Sequence, residues 1–154
     1  MDLLPDLLFC RAETAPDSAA LLAGDAALGY GALAQQVHGF ARVLLQAGLE
    51  PGERVGVFLD KRIETVVAKF GASAAGCTFL PVNPISRSRH VSHVLRDCGA
   101  RVLVTSADRL EALGAALGDC PDLRHAILVG QGEGAPVPAA GSARVVGWQQ
   151  ALEE

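Results

Sequence analysis

Between Arg54 and Val129 the sequence alternates between short apolar runs rich in β-formers and longer stretches of helical periodicity. The runs are residues 54–59 (RVGVFL), 77–82, 101–105 (RVLVT) and 125–129 (HAILV). Between the first two, Ile63, Val66, Val67, Phe70, Gly71 and Ala74 recur at the intervals of one buried helix face, with Phe70 at its centre. Val91, Val94, Leu95 and Cys98 do the same within a helix expected over 86–98, and a third helix is expected over 107–117. Strands so uniformly apolar, separated by helices, are those of a parallel sheet covered on both faces. The chain is therefore expected to be α/β, with a parallel sheet and helices on both faces. The small residues 71–76 are expected to bring their helix close to the sheet.

The flanks add detail. Residues 3–15 predict a short helix ending near Pro16, and 19–28 a hairpin turning at Gly24-Asp25. A longer helix starts at Tyr30, with Val37, Phe40, Ala41, Leu44 and Leu45 on one face. Gly48 can stop it, Pro51-Gly52 has type II turn chemistry, and Asp60 and Ser86 are expected helix caps. After Val129, glycine and proline appear without periodicity. The expected organisation is an α/β unit over 1–130, a loop or linker over 131–143, and the start of a further segment over 144–154. The last residue, Glu154, lacks a helix stop, as expected of one piece of a longer protein.

Half of the 154 residues are hydrophobic and only 5% aromatic, so the core must be mostly Leu, Val and Ala. Lys and Arg number 13 against 17 Asp and Glu, a net charge of −4, which argues against nucleic-acid binding. Asp2, Asp6 and Arg11 break any secretion signal, and no apolar run is long enough to span a membrane. The cysteines, Cys10, Cys77, Cys98 and Cys120, are far apart and are expected to be buried thiols of a cytoplasmic protein.

Local motifs give little chemistry. Residues 130–135 match G-x-G-x-x-A after a strand, but Pro136 and Pro138 prevent the helix that would hold a pyrophosphate. His90 and His93 are close enough on a helix to share a metal, yet no third ligand is fixed by spacing, so they read as solvated. Lys61 and Arg62 sit in a helix first turn against the macrodipole; they could receive an anion, but read better as solvated side chains. The stretch GCTFLPVNPISRSRH, residues 76–90, places an Asn-Pro turn at the carboxyl edge of the sheet, where α/β proteins bind ligands. It reads as a connection shaping one wall of a site.

The order of these features resembles the N-terminal part of the adenylate-forming acyl-CoA synthetase superfamily. The residues that carry the likeness are Leu28, Tyr30 and Leu33, then Pro51 to Val55, then Pro81 to Pro84, then Asp97, Gly99, Ala100 and Arg101. The stretch 83–110 looks most like acyl-CoA ligases associated with exosortase systems. Ala32 and Lys61-Arg62 depart from the usual pattern. The resemblance implies an AMP-forming ligase that converts a carboxylic acid, such as a fatty acid, with ATP, magnesium and coenzyme A into acyl-CoA, AMP and pyrophosphate. It carries no catalytic, cofactor-binding or metal-binding residue onto this chain. The implied partners are the remainder of a parent chain and, through apolar surface left uncovered, a second copy. An adenylation domain feeding a carrier protein and a stand-alone flavodoxin-like binding or interaction module are the alternatives.

Overall fold

The computed structural model describes residues 4–24, 26–130 and 137–153. Helix α1 (Leu4–Thr14) leads to an antiparallel hairpin, β1 (Ala19–Ala23) and β2 (Ala26–Gly29), and then to α2 (Tyr30–Gln46). Of the expected hairpin turn, Gly24 has φ 60°, while Asp25 lies outside the described residues. The main body follows as β3 (Arg54–Val57), α3 (Ile63–Ala74), β4 (Thr78–Pro81), α4 (Ser88–Asp97), β5 (Ala100–Thr105) and α5 (Ala107–Leu113). A 3-10 segment (Gly114–Asp119), β6 (His125–Leu128), β7 (Arg144–Gly147) and α6 (Trp148–Glu153) complete the described chain. Strands β3 to β7 form one five-stranded parallel sheet in the order β4-β3-β5-β6-β7. The expected α/β architecture is the observed one. Residues 144–147, expected to start a further segment, form β7 and pair with β6 in this same sheet.

The strand order explains the layering. From β3 the chain steps one way to β4, then returns past β3 to β5 and continues in that direction. Right-handed crossovers then place α3 on one face and α4 and α5 on the other. Alternation along β5 serves both cores: Val102 and Val104 face the first, Leu103 the second. The first core joins Val37, Phe40 and Leu44 of α2 to Val67 and Ala68 of α3, and Phe40 stacks on Trp148 with ring centroids 4.8 Å apart. The second joins Val91 and Leu95 of α4 to Leu110 and Leu113 of α5.

Several local expectations change. On α3 the fully buried residues are Val67, Ala68, Gly71 and Ala72, whereas Ile63, Val66 and Phe70 are only half-buried at the margin. Gly71 faces α2 rather than the sheet. A Cβ there would lie 2.8 Å from Phe40 Cδ1 and 3.2 Å from the Val37 carbonyl, so its smallness serves helix-on-helix contact. Leu45 is 55% exposed, and Leu33 and Val43 are buried on α2 instead. The helix expected over 107–117 tightens into a 3-10 segment after Leu113.

Helix ends follow one rule and helix starts another. Gly48, Gly76 and Gly99, with φ of 76°, 75° and 58°, follow the last residues of α2, α3 and α4. After α2, the Leu49 N–H donates to the Leu44 carbonyl at 3.1 Å; after α3, Cys77 does the same to Ala72 at 2.8 Å. The expected caps fail. Arg62 and Arg87 occupy the N-cap positions of α3 and α4, and neither makes a side-chain cap. Asp60 is drawn to another partner, and Ser86 uses its N–H to close a turn on the Asn83 carbonyl at 2.9 Å.

Candidate functional site

In an open parallel sheet a crevice forms at the carboxyl ends of the strands where successive connections leave in opposite directions. Here that point lies between β3 and β5. Its lips are the segment after β3, which carries Phe58, Asp60, Lys61 and Arg62, and the start of α5. The Asn83-Pro84 turn after β4 stands beside them.

Protein side chains span this crevice. Thr105 is fully buried, and its hydroxyl donates to the Phe58 carbonyl at 2.9 Å. Arg109, in the first turn of α5, lies with its guanidinium carbon 4.6 Å from the centroid of the Phe58 ring. Its Nη1 donates to the Pro84 carbonyl at 2.7 Å and its Nη2 to Asp60 Oδ1 at 2.6 Å. One side chain thus ties the loops after β3 and β4 to α5. It also explains the Asp60 position, since a carboxylate held by Arg109 does not cap α3. The Asn-Pro turn is closed by its own atoms, Asn83 Oδ1 accepting from the Ile85 N–H at 3.1 Å. At its tip Ile85 is 88% exposed.

The basic pair singled out by the sequence divides. Lys61 is exposed. Arg62 grips Glu64 with two hydrogen bonds, Nε to Oε2 at 2.8 Å and Nη2 to Oε1 at 3.2 Å. Burial pushes the Glu64 carboxyl up, but the Arg62 hydrogen bond, its own backbone N–H and the Arg62 charge together hold it below the ordinary 4.5. The same guanidinium lies against Gly130, where a Cβ would be 3.4 Å from both Nη atoms. The structure therefore brings Arg62 to the first residue of the glycine loop. The rest of that motif, residues 131–136, lies outside the described residues.

Other candidates stay apart from this edge. His90 and His93 are exposed on α4, with His93 Nδ1 3.3 Å from Arg96 Nη2. Among the described residues no group of three or more His, Cys, Asp or Glu is placed to hold a metal ion. The expectation of buried thiols holds for Cys77 and Cys120, which burial pushes up in pKa; Cys98 is half-buried and Cys10 is exposed on α1. No helix among the described residues is long and apolar enough to cross a membrane.

Arg62 and Arg109 each hold a carboxylate of this same edge, so neither stands ready for a phosphate. Sequence reasoning missed Thr105 and Arg109. The available signal was an arginine in the first turn of a helix, against the macrodipole, the same anomaly that marks Lys61 and Arg62.

The sequence profile of the AMP-binding enzyme family matches residues 8–150. Phosphinothricin tripeptide synthetase PhsB of Streptomyces viridochromogenes is 41% identical over 105 residues, which cover 68% of this chain and 9% of that protein. Gramicidin S synthase 2 of Brevibacillus brevis is 34% identical over 95 residues, 62% of this chain and 2% of that one. Among solved structures, the anthranilate CoA ligase AuaEII in complex with anthranoyl-AMP superposes with TM-score 0.83 at 23% identity, covering 90% of this chain and 27% of that one. The N-terminal subdomain of Klebsiella oxytoca NpsA superposes with TM-score 0.71 at 22% identity, covering 100% and 32%. The chain spans less than a tenth of these synthetases and about a third or less of these two structures. With a profile match over nearly its whole length and a sheet of the same fold as the N-terminal subdomains, the chain belongs to the AMP-binding enzyme family.

Proposed function

We propose that this chain forms the N-terminal scaffold of an enzyme that activates a carboxylic acid with ATP and passes the acyl group to the thiol of coenzyme A. The observation that carries the acid activation is the family match across residues 8–150, which takes in all five strands of the parallel sheet. In the first half-reaction a carboxylate oxygen bonds to the α-phosphorus of ATP and pyrophosphate leaves. In the second the thiolate attacks the acyl carbon and AMP leaves. The protein must supply donors for the phosphates and hold acid and nucleotide in line. Residues of the carboxyl edge here would shape one wall, with magnesium and the phosphate donors held by parts of the enzyme outside this chain.

The crevice between β3 and β5 weighs against a stand-alone flavodoxin-like binding module. Arg109 and Phe58 occupy the place where such a module would take its ligand. A second reading has a specific support: the 41% identity to a peptide synthetase favours a carrier-protein thiol as acceptor. The discriminating experiment uses the product of the natural reading frame that contains these residues. Acid-dependent pyrophosphate exchange is expected with one class among fatty, aromatic and amino acids. Thioester formation is then assayed with coenzyme A and with a phosphopantetheine-bearing carrier. Transfer to the carrier alone selects the second reading; no exchange with any acid defeats both.

The 154-residue chain by itself is expected to show neither exchange nor saturable ATP binding. Stoichiometric ATP binding in calorimetry, abolished by changing Gly132, would revive the module. Exposed Leu22 on the hairpin and Ile85 at the carboxyl edge would be covered in the complete enzyme. The chain alone is therefore expected to self-associate, a point that light scattering over a range of concentrations checks.

A further inference from the structure

The Asn83-Pro84 turn is a small rigid unit. Asn83 Oδ1 accepts from the Ile85 N–H and the Asn83 carbonyl from the Ser86 N–H, so residues 83–86 are closed on themselves. On the strand side the unit is rooted by the Val82 N–H, which donates to the Val57 carbonyl at 2.9 Å. On the helix side Ser88 Oγ donates to the Ala112 carbonyl of α5 at 2.7 Å. Between these two anchors Arg109 Nη1 donates to the Pro84 carbonyl, and the other arm of the same guanidinium reaches Asp60 in the loop after β3. Helix α5 is thus the backstop of the turn, and Arg109 is the strut that sets its lean over the crevice.

Stability alone does not call for an arginine here. Position 109 lies in the first turn of α5, where positive charge opposes the macrodipole. The side chain is 17% exposed and lies over the Phe58 ring, a cover that an unbranched apolar side chain also provides. Asp60 is 75% exposed, so the ion pair adds little. What only the planar guanidinium supplies is a pair of directed bonds that hold two loops at a fixed separation. A residue that opposes its own helix in order to fix two loops is expected where geometry serves function.

The chemistry of the turn selects among the substrates. The phosphates of ATP need free donors, and Arg62 and Arg109 already hold carboxylates. Residues 83–86 carry no charge, and a wall of that kind suits the carbon skeleton of an acid.

We propose that Arg109 is a positioning residue for acid activation: by holding the Pro84 carbonyl it sets how far the Asn83-Pro84 turn leans over the crevice, and so how the acid is seated. This rests on the reading above, in which the carboxyl edge walls the site of an acid-activating enzyme.

The test uses the product of the natural reading frame that contains these residues, with acid-dependent pyrophosphate exchange as the assay. Arg109→Met should raise KM for the acid by about tenfold or more and leave KM for ATP within about twofold. Arg101→Met is the control. It removes an arginine that holds two carboxylates at the other edge, so it should lower the melting temperature and leave both KM values within about twofold. Should Arg109→Met not accumulate as folded protein, Arg109→Lys, which keeps the charge without the two-pronged fork, is expected to show the same rise. An unchanged KM for the acid, with kcat lowered only in proportion to the folded fraction, overturns the proposal. So does a rise of equal size in Arg101→Met, or a rise confined to ATP. Normal exchange with slowed thioester formation also overturns it, and assigns the turn to the thiol. Absence of exchange by the wild type with any acid instead defeats the reading on which the proposal rests.

Discussion

The two edges of the sheet are closed by different means. At the amino edge the ties come from strands. Arg54, the first residue of β3, donates through Nε to the Cys98 carbonyl at 2.5 Å. Arg101, in β5, joins Glu53 at 2.8 Å and also Asp122, so one guanidinium links the approaches to β3 and β6. At the carboxyl edge the tie comes from a helix: Arg109 reaches back across the crevice to Pro84 and Asp60. Strand-borne ties pin short turns directly to the sheet. A helix-borne tie holds loops to one another and leaves their tips, Lys61 and Ile85, in solvent. The amino edge is a finished base, whereas the carboxyl edge is a lip whose loops are fixed at the root and free at the tip, as binding loops on a rigid scaffold are.

The sharpest test of this difference is Thr105→Val, which keeps shape and removes the hydroxyl bonded to the buried Phe58 carbonyl. The loss is expected to be about 1–3 kcal/mol, measured by denaturant unfolding. A smaller effect, about 1–2 kcal/mol, is expected for Arg109→Met, which frees the Pro84 carbonyl but keeps the stem over Phe58. Its signature is local. Amide exchange at Ile85 and Ser86 should quicken, while Leu49 and Cys77 at the amino edge stay protected. Equal loosening at both edges would erase the difference between base and lip.

Two smaller effects probe the amino edge by pH. Glu53 is held below its ordinary 4.5 first by the Glu50 N–H, against burial, and then by Arg101. A depressed carboxyl contributes stability above its unfolded value and loses it as pH falls through the folded one. Glu53→Gln should therefore flatten acid unfolding below about pH 4.5, weakly, because the group is near solvent. His125, lining a cavity of ≈ 340 Å³ with Val43 and Val102, is pushed below 6.5 by burial first and then by the Arg144 and Arg124 charges. Between the two pKa values the unfolded state binds more protons, so stability should fall as pH drops from 6.5 through the folded value. His125→Gln should abolish that slope; an unchanged slope would assign it to another group.

What the sequence shows of this molecule follows the range of the interactions involved. The strand-helix rhythm, the glycine after α2 and the Pro51-Gly52 turn are set by neighbours in the chain, and each is found where spacing places it. Gly52, with φ 84°, lets the Glu53 N–H reach the Glu50 carbonyl at 3.1 Å. The failures lie at contacts between distant residues. Asp60 has the right type and place for a cap, yet a side chain from another loop claims it. Composition assigns Gly71 to the sheet, but its neighbour is Phe40 on α2. Phe70 has the period of a core residue, yet it is only partly buried against the first core. Of the carboxyl edge, the turn was legible and its fastening was not. Arg109 becomes a partner of Pro84 and Asp60 only once the sheet has brought their loops together.

The glycine stops have an engineering consequence. The exits from α2, α3 and α4 each turn through a left-handed glycine, Gly48, Gly76 or Gly99, and two of these three show the same pair of backbone bonds. The exit direction is thus written in the backbone, independent of the side chains of the helix before it. Segments between stops are exchangeable parts. Grafting a foreign helix ahead of Gly76, or adding a whole turn to α3, should leave β4 entering the sheet along its present line. Moving the glycine by one position should redirect it. Length variation among natural homologues is then expected upstream of these stops and not across them.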